Sequence, residues 1–133
     1  MPIRDLVTLL ATLSPELHPG AWAWCALPDS AALDGVEPVA TMREAEGLGV
    51  VVAEEAALAR GWPVAWRAAW ITLRVHSDLA AVGLTAAVAR ALADAGIACN
   101  VVAALHHDHL FVPHDRAEAA LAALRALSAG SSR

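Results

Sequence analysis

The chain has 133 residues, a length that suits one compact domain or two very small ones sharing a core. Its hydrophobic content of 58% and mean hydropathy of +0.51 come largely from alanine, and its apolar runs stay well short of the ~20 residues a membrane helix needs, which argues against a membrane protein. The net charge of −5, with every basic side chain an arginine, argues against a nucleic-acid surface and excludes Schiff-base chemistry and a phosphate loop closing on Gly-Lys.

The opening Met1-Pro2-Ile3-Arg4-Asp5 lacks the apolar stretch and small-residue cleavage site of a signal peptide. Cys25 and Cys99 lie far apart. The expectation is a cytoplasmic protein with free thiols.

Ile3, Leu6, Val7, Leu10 and Leu13 recur at helical spacing, so a short amphipathic helix is predicted over 3–13, with Pro2 suited to its first turn and Ser14-Pro15 ending it. His18-Pro19-Gly20 reads as a turn. A strand is predicted over 21–27, with Trp22 and Trp24 on one face and Ala23 and Cys25 on the other. Residues 28–35 read as loop, 37–43 as a strand, Glu46-Gly47 as a turn and 48–53 as an apolar strand. A short helix over 54–60 is stopped by Gly61. Gly61-Trp62-Pro63 is the best boundary, giving halves 1–63 and 64–133.

Residues 69–75 are rich in bulky and β-favouring side chains and predict a strand. A loop over 76–81 leads to a helix over 82–95, with Leu84, Val88, Leu92 and Ala95 on one face and Gly96 as a left-handed cap. A strand over 98–105, a turn at 106–108 and a strand over 109–112 ended by Pro113 follow. Asp115 and Glu118 have the spacing of a capping box, and Ala117, Ala120, Leu121, Leu124 and Leu127 give the last helix an apolar face. Residues 129–133 read as a frayed tail. The second half is thus β-α-β-β-α, one strand short of a complete split unit. A strand from the first half is expected to close its sheet, so that neither half stands alone.

Three runs carry a resemblance: Ile71-Thr72-Leu73-Arg74-Val75-His76-Ser77 leading into Val82-Gly83-Leu84-Thr85; Ala95-Gly96-Ile97-Ala98-Cys99-Asn100-Val101-Val102-Ala103; and His107-Asp108-His109-Leu110-Phe111-Val112-Pro113. Leu48 to Leu58 adds a weaker match. The pattern resembles the ACT-domain superfamily, and within it the small bacterial ACT-domain proteins related to the cytosolic arginine sensors of animals. The resemblance implies an α+β, ferredoxin-like sandwich: βαββα plus a strand from the N-terminal half, in tandem ACT-like halves packed together. It also implies a regulatory protein with ligand at a module interface, between halves or between protomers. Where ACT domains commonly carry a proline before the glycine, this chain has Val82.

On that basis the ligand-binding residues are expected to be Val82, Gly83, Leu84, Asn100, His107 and Asp108. The N–H groups at Val82, Gly83 and Leu84 would hold an amino-acid carboxylate at a helix N-terminus. Asp108, with Asn100 or His107, would hold the amino or side-chain end. A structural role competes at each position: Gly83 as a tight turn, Asp108 as a turn residue, Asn100 as a partner for a buried backbone group. The cluster from His106 to His114 invites a metal, but no further ligand lies at a matching offset, so no metal site is assigned. No catalytic triad, nucleophile elbow or dinucleotide fingerprint appears, so no catalytic residue or cofactor is assigned. The five tryptophans read as core filling among many alanines, or as cover for a subunit interface. The expected partners are an amino acid and a second copy of the chain in a homodimer, without nucleic acid or membrane. Two alternatives stay open: a metal-binding protein or metal-dependent enzyme using the His106–His114 cluster, and a ligand-free partner-binding subunit.

Overall fold

The structure is a computed structural model that describes residues 5–131; the expectations for Pro2 and Ile3 and for the last two residues lie outside that range. In chain order the helices are α1 (Leu6–Ala11), α2 (Glu54–Arg60), α3 (Leu84–Asp94) and α4 (Ala117–Ser131). The strands are β1 (Pro15–Leu17), β2 (Trp22–Leu27), β3 (Ala40–Glu44), β4 (Gly47–Ala53), β5 (Trp66–Leu73), β6 (Asn100–Ala103) and β7 (Asp108–Pro113). They form two compact units. One takes the residues through His18 together with those from Ala69 onward; the other is Pro19–Ala68.

In the first unit, Asp5 caps α1 by accepting from the Thr8 N–H at 3.1 Å and from the Thr8 hydroxyl at 2.7 Å. The helix ends at Ala11, and Ser14, with φ of 50°, redirects the chain into β1. That strand pairs antiparallel with β5, Pro15 opposite Leu73 and Leu17 opposite Ile71. It is the fourth strand the C-terminal half lacks. The sheet then continues from β5 to β7 to β6, with Asn100 opposite Phe111 and Ala103 opposite Asp108. Leu84, Val88 and Leu92 place one face of α3 in the core with Ile71, Leu110 and Leu124. Each such side chain contributes roughly 1.5–3 kcal/mol by leaving water. Gly96, at φ of 73°, follows the last turn of α3 in the left-handed conformation expected of it.

The second unit has strand order β3-β4-β2, and β2 also pairs with residues 66–68 of β5. Ala23, Cys25 and Leu27 point into a small core with Val50, Val52 and Ala57. Gly61 ends α2 at φ of 69°, its N–H returning to the Ala57 and Leu58 carbonyls. Arg67 ties to Glu54 through Nε at 2.6 Å.

Several local expectations are corrected. The strand predicted over 69–75 begins at Trp66 and ends at Leu73, because its first three residues find a partner in β2. The strand over 98–105 shortens to Asn100–Ala103. Asp115 is not a cap: it sits inside a 3-10 turn, His114–Arg116, that carries the chain from β7 into α4. All five tryptophans are half-buried, and Trp62 packs against the small core of the second unit, which leaves both readings of them standing.

Candidate functional site

Strand pleating decides what faces what in the first unit. Along β7, Leu110 and Val112 point into the helix-covered core, and Asp108 shares their phase. Asp108 is only 8% exposed. Its Oδ2 accepts from the Ser77 hydroxyl at 3.3 Å, and among the described residues that is its one hydrogen bond, with no cation paired to it. With one protein hydrogen bond made, the carboxylate keeps acceptor capacity on its cleft side for a donor or cation. It opens onto a cleft of about 50 Å³ lined by Ser77, Asp78, Leu84, Thr85, Ala103 and Asp108. That space holds an ammonium group or a water.

One wall of the cleft is the first turn of α3, whose N-cap is Gly83 with no side-chain cap, so its leading N–H groups lack a capping acceptor from the N-cap side chain. Gly83 adopts φ of 100°, and a Cβ there would lie 3.1 Å from Cδ2 of Leu6. The glycine therefore meets a backbone and packing requirement of its own. Beside the cleft, sharing Ser77, Asp78 and Leu79 with it, is a hollow of about 330 Å³ that extends to His76, Leu105 and His106.

The opposite sheet face carries a different cluster. Trp70 Nε1 donates to Nδ1 of His109 at 3.1 Å. Indole nitrogen only donates, so Nδ1 is the acceptor and the His109 proton sits on Nε2. The Thr72 hydroxyl, buried at 1% exposure, lies 3.0 Å from the same Nδ1 and 2.7 Å from Nε2 of His18. The His18 ring stacks on Trp70 with centroids 3.5 Å apart. Burial lowers the pKa of both histidines, with Arg74 adding to it in each case.

The sequence-predicted residues therefore separate. Leu84 and Asp108 come together at the cleft. Gly83 adjoins them as the helix cap, and Val82, 84% exposed, precedes it. His107 lies in the turn next to Asp108, its ring centroid 6.1 Å from that of His76. Asn100 is not brought to this cleft. It stands exposed on β6, out of phase with the cleft-lining Ala103 and opposite Phe111. Ser77 and Thr85 were missed as cleft residues; their signal was a hydroxyl in the loop between β5 and α3 and another in the first turn of that helix. Among the described residues no three His, Cys, Asp or Glu side chains are placed to hold a metal ion, and no helix is long and apolar enough to cross a membrane.

Two models of the ACT domain match in tandem, one over residues 1–68 and the other over 67–126. No curated protein sequence matches. A crystal structure from Vibrio cholerae, described as a protein of unknown function and possible transport protein, is 43% identical, with 92% of this chain and 95% of that one covered at a TM-score of 0.84. An Agrobacterium tumefaciens protein is 22% identical over 86% of this chain and 88% of its own, at a TM-score of 0.65. The regulatory subunit of aspartate kinase from Thermus flavus shares the fold at 15% identity and a TM-score of 0.64, over 86% of this chain and 96% of its own.

Proposed function

The chain belongs to the ACT-domain family, and from that premise we propose that it is a non-catalytic regulatory protein that binds a free amino acid at the Asp108 cleft. The observation that carries the reading is the state of Asp108: nine-tenths buried, held by one 3.3 Å hydrogen bond, and without a cation among the described residues. A ligand ammonium supplies the missing charge and donors. The free N–H groups at the start of α3 then take the carboxylate, as the helix dipole favours. Leu84 forms the wall between them, and His107 flanks the turn that presents Asp108.

The same reading takes 1–63 and 64–133 as tandem halves and the protein as a homodimer in the cytoplasm. β6 stands at the end of its sheet and pairs with β7 alone among the described strands, which leaves an edge for a second copy. Binding would shift the packing of that dimer.

A thermal-shift panel of the amino acids and zinc on the full chain tests the proposal. At least one amino acid should raise Tm, and Asp108→Asn, which keeps the shape and removes the charge, should abolish the rise. The apo variant should be about as stable as the parent, since the carboxylate has one long protein hydrogen bond to lose. Stabilisation by zinc alone, or an amino-acid response unchanged in Asp108→Asn, rules the reading out.

A further inference from the structure

The surroundings of Asp108 also bear on which amino acid fits. This step rests on the binding role just proposed for the cleft. The cleft itself is too small for a side chain, at about 50 Å³. The adjoining hollow, at about 330 Å³, reaches the lower end of the range of small-molecule sites. The two share Ser77, Asp78 and Leu79, so the hollow is the adjoining space open to the side chain of an amino acid whose amino group sits at Asp108.

The walls of the hollow are unusual for solvent-facing surface. Leu79 is 61% exposed and Leu105 is 67% exposed, so two of the few large apolar side chains left in water flank this one hollow. The His76 and His106 rings meet edge to face nearby, centroids 5.4 Å apart. No arginine lines the hollow. The carboxylate present, Asp78, already accepts from the Ala80 N–H at 2.7 Å. An acidic side chain would meet the Asp78 carboxylate and no arginine, and a basic one would meet that one carboxylate, which already holds the Ala80 N–H, between two exposed leucines. An apolar or aromatic side chain would remove both leucines from water and pack on the imidazole faces.

We infer that the Asp108 site selects α-amino acids with a large apolar or aromatic side chain.

Calorimetric titration of the full chain with phenylalanine, leucine, glycine, arginine and glutamate tests this. Phenylalanine or leucine should bind at least tenfold tighter than glycine, and arginine and glutamate no tighter than glycine. Leu105→Ser, an exposed position where folding is not at stake, should remove the tenfold advantage over glycine. Arginine or glutamate as the tightest ligand, with binding lost in Asp108→Asn, overturns the selectivity and leaves the binding role standing. An unchanged preference in Leu105→Ser also overturns it. Silence to all five overturns both.

Discussion

Replacing Thr72 by valine should destabilise the chain by about 0.2–2 kcal/mol, centred near 1, although the two side chains have nearly the same shape. The Thr72 hydroxyl lies 2.7 Å from His18 Nε2 and 3.0 Å from His109 Nδ1, and the residue is 1% exposed. Each hydrogen bond contributes roughly 0.5–1.5 kcal/mol net, so losing both costs about 1–3 kcal/mol. The added methyl returns about 0.8 kcal/mol by burial. For a chain of this length the net loss lowers Tm by roughly 1–8 °C, with about 4 °C at the centre of the range. Urea unfolding at pH 7.5 measures it, with Thr72→Ser as the control that keeps the hydroxyl and loses only a methyl. Thr72→Val equal to the parent, or Thr72→Ser the worse of the two, would refute the bridging role of the hydroxyl. A long-range proton–nitrogen NMR correlation should independently place the His109 proton on Nε2.

Three further outcomes follow from the same geometry. Burial lowers the pKa of His18 and His109, so just below the ordinary histidine value of ~6.5 the unfolded chain binds protons that the folded chain does not. Their contribution is intact above that value and is lost as pH falls through the interval, at no more than ~1.4 kcal/mol per pH unit per proton and less because both rings are partly exposed. Urea unfolding between pH 7.5 and 5.5 should show this slope shrinking in the double variant His18→Asn/His109→Gln; an unchanged slope refutes the assignment. Gly83→Ala should cost about 1–2 kcal/mol, because φ of 100° disfavours any Cβ and Leu6 must also give way; a variant as stable as the parent shows the turn relaxes freely. Burial pushes the Cys99 thiol up to about 11, so at pH 8 only ~1 in 1,000 is thiolate, and iodoacetamide should label it far more slowly than free cysteine; equal rates contradict the burial.

The sequence was most legible where local chemistry decides the structure. The segment from Leu48 to Gly61 carries its own instructions: an apolar run, acidic residues in the first turn of α2, and a glycine able to take φ of 69°. β1 was missed because three residues beginning with a proline have no pattern of their own; Pro15–Leu17 is a strand only because β5 lies beside it. The start of β5 was missed for the same reason, since Trp66–Ala68 pairs with a partner more than forty residues earlier in the chain. Leu84 and Asp108, expected together on the resemblance to ACT domains, do line one cleft. Asn100 could not be placed, because the sequence does not reveal the phase of a four-residue strand, and a shift of one residue exchanges its faces.

That phase also dismantles the run that most invited a metal. His106 and His107 lie in the turn before β7 begins, while Asp108 and His109 are its first two residues. Successive residues of a strand point to opposite faces. Asp108 therefore enters the helix-side cleft with Ser77, and His109 goes to the other face, where Trp70 and Thr72 hold it. Four adjacent polar residues thus serve three surroundings. A carboxylate with one protein hydrogen bond, facing the cleft, favours a ligand, whereas a histidine whose Nδ1 is already held by Trp70 and Thr72 favours structure. The distinction lies in the number of partners each group has, which residue identity alone does not record.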